Sequence, residues 1–266
     1  MFVEGDVRDI GTCKKAVQGC AYVLHQAAIG SVPRSIDNPL RTNDNNVNGF
    51  LNVLVAARDE KVKRMVYAAS SSTYGDLAEM PKVEDRIGMP LSPYAVSKYV
   101  NELYAHVFAL NYGMQLVGLR YFNVFGKNQD PNGAYAAVIP KFIEMMKKGV
   151  SPTVYGDGTQ SRDFTHVSNV LLMNELALFS EDERVLNTVF NTACGQNTSL
   201  LELFEMIKEQ LLTKDAGFDK LELKFETERL GDVKHSQASI EKAYQILGYK
   251  PVTKIRDGIR ELVGEL

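Results

Sequence analysis

The sequence predicts an α/β protein built on a doubly wound parallel sheet, and three observations carry that expectation. Short apolar segments of strand character alternate with helical segments through the first 125 residues, the order that gives parallel strands joined by crossover helices. Three polar punctuations, Gln26-Ala27-Ala28, Ser70-Ser71-Ser72 and Phe122-Asn123, each close an apolar strand, and ligands collect at such strand ends. A well-marked helix start, Ser92-Pro93-Tyr94-Ala95-Val96-Ser97-Lys98, follows the serine cluster, with serine as N-cap and proline at the first helical position.

In order, Phe2 to Asp9 reads as a strand running out into an acidic turn, and Ile10 to Gln18 as a short helix. Ala21 to His25 is a brief strand. A long helix spans Asp44 to Asp59, with Val47, Leu51, Leu54 and Val55 on its apolar stripe. Met65 to Ala69 forms the next strand. The helix from Pro93 to about Asn111 stops near Gly113, and Gln115 to Tyr121 returns as a strand.

After Gly126 the texture changes. Asn128 to Gly133 is a loop and Val138 to Lys148 a helix. Val154-Tyr155 runs into Gly156-Asp157-Gly158-Thr159-Gln160-Ser161, which lacks the last glycine of a phosphate loop and reads as a tight hairpin turn. Val189 to Thr192 is a strand and Leu200 to Leu212 an amphipathic helix; Arg229-Leu230-Gly231-Asp232 and two short helices complete the chain. No repeat or low-complexity linker divides it. We therefore expect a sheet domain over 1–125 and a smaller lobe over 126–266, with roughly 163–193 returning to the sheet.

The 266 residues, 45% hydrophobic and 24% charged, suffice for a well-buried core. A net charge of -3 gives no electrostatic reason to expect nucleic acid or an anionic membrane as partner. Three cysteines without C-x-x-C spacing argue against a disulfide framework or a zinc site, and the four histidines make no metal-ligand pattern. No targeting segment or long apolar run is present, so a cytoplasmic setting is expected.

Tyr94 and Lys98 stand four residues apart on one helix face. An ammonium beside a phenol favours the phenolate, so Tyr94 is expected to act as a base, with a serine hydroxyl at the neighbouring strand end sharing the proton. That equipment suits removal of a proton from a sugar or alcohol hydroxyl while hydride leaves the same carbon. A dinucleotide-binding sheet should open with a strand, a glycine-rich turn and a helix, then an acidic residue for the ribose. None of these is in the sequence, which begins at what looks like the third strand of such a sheet. The expectation is a truncated start, a fragment or a cofactor-poor variant, in which the pyrophosphate loses its helix N-terminus.

The order of strand, serine cluster, capped helix, tyrosine and lysine resembles the extended short-chain dehydrogenase/reductase family. Within it the chain is similar to the UDP-N-acetylglucosamine 4-epimerases, from Gly5 to about Gly258. The stretches that carry this are His25 to Ser35, Ala68 to Gly75, Leu91 to Lys98, Leu119 to Gly126, Ser161 to Phe164 and Gly231 to Ser236. The resemblance implies a Rossmann-like sheet lacking its first βαβ portion, a smaller C-terminal substrate lobe, NAD as cofactor and a UDP-sugar as substrate. It makes Tyr94 the base and Lys98 the residue that lowers its pKa and holds the nicotinamide ribose, with Ser70 in the triad and Ser71 beside it on the sugar. It places Asp6 and Val7 at the adenine, Gln26, Ala27 and Ala28 along the cofactor, Asn46 near its ribose or pyrophosphate, and Phe122 against the nicotinamide. Ser31 and Asn123 would contact the sugar, while Val138, Arg162, Arg229 and Asp232 hold the nucleotide end. The implied reaction inverts C4 through a 4-keto sugar, for supply of surface polysaccharide precursors. Dehydratase relatives carry an Asp-Glu pair where this chain has Ser71-Ser72, which disfavours elimination of water. A UDP-glucose or UDP-glucuronate 4-epimerase or related sugar-nucleotide dehydratase, and a catalytically silent or partner-dependent sugar-nucleotide-binding remnant, are the alternatives. The family also implies a homodimer through a helix bundle, to which Tyr99, Leu103 and Val107 would contribute.

Overall fold

The computed structural model describes residues 1–132, 136–227 and 234–264. In chain order it forms α1 (Ile10–Val17), β1 (Tyr22–His25), α2 (Val32–Asp37) and α3 (Pro39–Asn43), then a π-helical turn (Asp44–Asn48) that runs into α4 (Gly49–Asp59). Next come β2 (Arg64–Ser70), a 3-10 turn (Ser71–Tyr74), α5 (Pro93–Tyr112), β3 (Leu116–Tyr121) and β4 (Val124–Phe125). α6 (Val138–Lys147), β5 (Thr153–Tyr155), β6 (Ser161–Arg162), β7 (Thr165–His166) and α7 (Val167–Phe179) follow. The chain continues through β8 (Thr188–Thr192), β9 (Thr198–Ser199), α8 (Leu200–Leu212), β10 (Lys224–Glu226), β11 (His235–Ser236), α9 (Glu241–Leu247) and α10 (Ile255–Gly264).

The central sheet is parallel, in the order β1-β2-β3-β8. Alternation along β2 sends successive side chains to opposite faces. Met65, Tyr67 and Ala69 pack with Cys13, Phe50, Leu54, Ala105 and Phe108 from α1, α4 and α5. Val66 joins Val117, Leu119 and Phe190 in a second cluster with Met173, Ala177 and Leu247 from α7 and α9. Helices thus cover both faces, and every residue of β2 is buried. A third core joins α6, α8 and α10 through Phe142, Met146, Phe204, Ile207 and Ile259. Around it lie the sheet β11-β6-β9 and the pair β10-β5.

Three local expectations are corrected. Phe2 to Asp9 is not a strand. Among the described residues β1 is the sheet edge, and no ladder takes up the backbone of this segment. Side chains hold it instead: the Val7 carbonyl accepts from the Asn52 amide and the Cys13 thiol. Gly49 permits that approach, since a Cβ there would lie 2.6 Å from the Val7 side chain. The helix expected from Asp44 is preceded by α3, whose N-cap Asn38 accepts from the Arg41 amide, and its first five residues are π-helical. The turn at Gly156 to Ser161 joins no hairpin, because β5 pairs with β10 while β6 pairs with β9 and β11. Gly156 and Gly158 do adopt positive φ there, 87° and 79°.

Candidate active site

β2 delivers Ser70 to the end of the sheet. Its hydroxyl accepts the Ser72 backbone N–H at 3.1 Å, closing the turn that carries Ser71, and it neighbours the Tyr94 phenol. α5 begins as its sequence dictates: the Ser92 hydroxyl accepts the Ala95 N–H at 3.1 Å, Pro93 opens the helix, and Gly113 ends it in the left-handed region. Tyr94 therefore lies in the first turn and Lys98 one turn on. The buried Lys98 ammonium donates to the Ala68 carbonyl at 2.8 Å, and burial lowers its pKa to about 8. Burial raises the Tyr94 phenol above its usual value, and the neighbouring Ser70 hydroxyl opposes that rise. In this structure the Lys98 ammonium is directed at the Ala68 carbonyl.

The other expected residues fall into distinct groups. Gln26, Ala27 and Ala28 are exposed beyond the end of β1, and the Gln26 amide is pinned by the Tyr121 hydroxyl at 2.9 Å and by Asn174 at 3.0 Å. Ser31 and Asn123 both hold positive φ, 91° and 31°, a strained state for side-chain-bearing residues that concentrates at functional sites. Ser31 caps α2, and the Asn123 amide donates to the Asp163 carbonyl at 3.0 Å. Val138 opens α6, and the Arg162 guanidinium donates to the carbonyls of Ser161 and Lys234. Asp6 is held well below the usual carboxylate range by the Arg8 side chain, in an exposed pair, and half-buried Val7 follows it. Arg229 and Asp232 lie outside the described residues.

Two of the expected residues are engaged within the protein. Phe122 is completely buried with Tyr74, Ala193 and Ala238, so its ring belongs to a core cluster in this structure. Asn46 spends both amide protons on the Ile29 carbonyl and the Ser97 hydroxyl, and its oxygen accepts the Ile29 N–H. It fastens the loop after β1 from below.

Sequence reasoning missed a buried polar set behind the site. Arg120 of β3 forms a two-pronged pair with Glu102 of α5 at 2.9 and 2.7 Å. Asp163 is fully buried and binds the N–H groups of Cys194 and Ala238. The available signal was Glu102 itself, one further turn along the face that holds Tyr94 and Lys98, and a lone arginine in an apolar strand. Among the described residues no three His, Cys, Asp or Glu side chains converge to hold a metal ion, and no helix is long and apolar enough to cross a membrane.

The NAD dependent epimerase/dehydratase family model matches residues 1–193. The chain belongs to that family. It is 38% identical over 264 residues to a putative UDP-glucose 4-epimerase of Methanocaldococcus jannaschii, covering 98% of this chain and 82% of that one. Among solved structures, the UDP-N-acetylglucosamine 4-epimerase of Methanobrevibacter ruminantium, in complex with UDP-N-acetylmuramic acid, superposes with a TM-score of 0.90 at 40% identity. That match covers 98% of this chain and 80% of that one. A UDP-glucose 4-epimerase of Thermotoga maritima with UDP-glucose gives 0.91 at 33% identity, covering 99% and 83%. NAD is the cofactor of the epimerase/dehydratase family, and this member places its serine, tyrosine and lysine together at the sheet's carboxyl end.

Proposed function

We propose that this family member interconverts UDP-N-acetylglucosamine and UDP-N-acetylgalactosamine by NAD-dependent 4-epimerisation, in the cytoplasm and for surface polysaccharide precursors. The observation that carries the reading is the gathering of Ser70 and the Tyr94 phenol at the end of β2, with the Lys98 ammonium buried one turn behind. The 40% identity to a UDP-N-acetylglucosamine 4-epimerase supports the choice of sugar.

The residues fit the nicotinamide end of the cofactor: a half-buried phenol, a buried ammonium and the exposed Gln26-Ala27-Ala28 backbone meet at the ends of β1 and β2. The N-terminus of α1 does not supply a pyrophosphate cradle, because the Asp9 carboxylate already accepts its Gly11 and Thr12 amides. Bound NAD supplies an acceptor, then a donor, for the hydride of C4. Tyr94, as the phenolate that the Ser70 hydroxyl stabilises, takes the proton of the 4-hydroxyl and becomes the neutral phenol. Lys98 holds positive charge close to that proton path. Ser70, Ser71 and Ser72 are small enough to let the oxidised sugar turn, while Arg162 anchors the diphosphate through its planar fork. In this reading residues 1–125 bind the cofactor and 126–266 mainly bind the sugar nucleotide.

Incubation of the chain with NAD and UDP-N-acetylglucosamine, followed by proton NMR of the anomeric signals, should show UDP-N-acetylgalactosamine. Binding of both ligands without interconversion would refute the reading. A second reading, a protein that binds the sugar nucleotide but not the cofactor, is favoured by the Asp9-filled helix start; calorimetry that finds micromolar NAD binding would remove it. We also place a homodimer on α5, whose Val96, Leu103, Val107 and Leu110 are exposed at helical spacing. Sedimentation of a Leu103→Glu variant should show monomers where the parent chain forms dimers.

A further inference from the structure

Arg120 makes more contacts than an ion pair requires. Its Nε and Nη2 bind the two oxygens of Glu102, its Nη1 donates to the Glu84 carbonyl at 3.0 Å, and its guanidinium lies 4.8 Å above the Tyr74 ring. Each of those partners belongs to a different piece of the site. Glu102 is on α5, eight residues from Tyr94, or about 12 Å along a rigid helix. Tyr74 ends the turn that begins at Ser71, just after Ser70. Glu84 belongs to the segment between that turn and α5, and its carboxylate accepts the Asn191 N–H of β8 at 2.8 Å. Arg120 itself is paired in register with Ala69, the residue before Ser70.

We infer that Arg120 and Glu102 are positioning residues, and that this pair, with Tyr74 beneath it, sets the helix carrying Tyr94 beside Ser70. Both side chains are buried, 4% and 7% exposed, so water does not compete for the pair and its geometry is held. A pair placed only for stability has no reason to bind the turn, the connecting segment and the helix at once. Hydrophobic contact alone leaves α5 free to slide, because apolar packing is non-directional. A two-pronged guanidinium–carboxylate contact has one register. The Tyr74 hydroxyl completes the set by donating to Asn191 at 2.6 Å, which ties the turn to β8.

The inference rests on the proposed function only in taking the Tyr94 phenol as the reacting base, and its test needs neither cofactor nor sugar. Lys98 lies one turn along the same helix from the phenol, and His25 of β1 is held neutral, its pKa lowered to about 4 by burial and by Lys98. Tyrosine labelled with carbon-13 at Cζ lets NMR titrate each phenol in the full chain, with Tyr94→Phe assigning the signal. Arg120→Lys and Glu102→Asp keep both charges and lose the two-pronged fit. Each should raise the apparent pKa of Tyr94 by about one, the tenfold loss of phenolate that follows from losing a charge-assisted hydrogen bond. Glu102→Gln separates geometry from field: losing a nearby negative charge lowers a phenol's pKa, whereas losing the Ser70 contact raises it. Tyr74→Leu, which leaves no buried charge unpaired, should move Tyr94 in the same upward direction and serves if the pair variants do not fold. A Tyr94 titration unchanged in the folded variants, with only a lower melting temperature, overturns the inference, and so does a downward shift in Glu102→Gln. The epimerase assay can fail while this titration succeeds, and the reverse, so the two claims are separable.

Discussion

Replacing Lys98 by methionine should make the fold more stable while ending the proposed catalysis. The side chain is 3% exposed, and its hydrogen bond is to the Ala68 carbonyl. Burial lowers its pKa from 10.5 to about 8. At neutral pH the ammonium is charged in both the folded and unfolded chain, so folding carries a cost of about 3 kcal/mol. Methionine has similar length and no charge, so it removes that cost and forfeits one hydrogen bond worth about 1 kcal/mol. The net gain of about 2 kcal/mol corresponds to a melting temperature roughly 4–8 °C higher for a chain of this size. The pH dependence has a definite sign. Because the folded pKa lies below the unfolded one, the unfolded chain holds the extra proton between about pH 8 and 10.5. The parent chain therefore gains stability as pH rises through that window, and the variant lacks this gain. Urea titrations of both proteins across the window measure the difference, in which other titrating groups cancel. A methionine variant less stable than its parent at neutral pH, or a stability gap that fails to close between about pH 8 and 10.5, would refute the reasoning and make Lys98 a structural cation.

Three further outcomes are expected. Tyr94→Phe should lower kcat roughly 10²–10⁴-fold in the epimerase assay, with UDP-sugar affinity by calorimetry nearly unchanged; retained turnover would remove Tyr94 as the base. Asp163 is raised from 3.8 to about 7, because burial outweighs the backbone N–H groups of Cys194, Ala238, Gly195 and Gln196 that pull it down. The folded chain then keeps a proton the unfolded chain has lost, so stability falls as pH rises through that window, and Asp163→Asn should flatten the fall; stability that climbs there instead would show that the N–H groups prevail. Phe122→Ala should cost about 3–5 kcal/mol in urea unfolding, as loss of a fully buried ring does, and a near-neutral result would contradict its place in the core.

The legible parts of this protein are those decided over a few residues. The cap Ser92, Pro93 and the terminal Gly113 determine α5 through local hydrogen bonds and φ preferences, so Tyr94 and Lys98 could be placed on one face in advance. Apolar runs alternating with helical periodicity were enough for a parallel sheet covered on both sides, and β2, β3 and β8 stand where that pattern puts them. The strand expected at Phe2 to Asp9 failed for a physical reason: strand character is realised only when a neighbour accepts the ladder hydrogen bonds.

The direction of a side chain was settled by packing across long sequence distances. Spacing alone aligns Lys98 with Tyr94, but the Ala68 carbonyl, thirty residues away, decides where the ammonium points. Phe122 follows a strand whose side chains are mostly buried on both faces, so no alternation shows which way its ring turns; Tyr74, Ala193 and Ala238 draw it into the core. Asn46 looks like a ligand residue until the Ile29 backbone and Ser97 consume its amide. Arg120 and Glu102 are unremarkable as letters, and only the crossing of a strand with a helix brings them into a buried pair. Sequence alone determined which elements form, because caps, turns and periodicity act locally; the tertiary structure decided which polar atoms are left to do chemistry, because that depends on which ones the fold has already used.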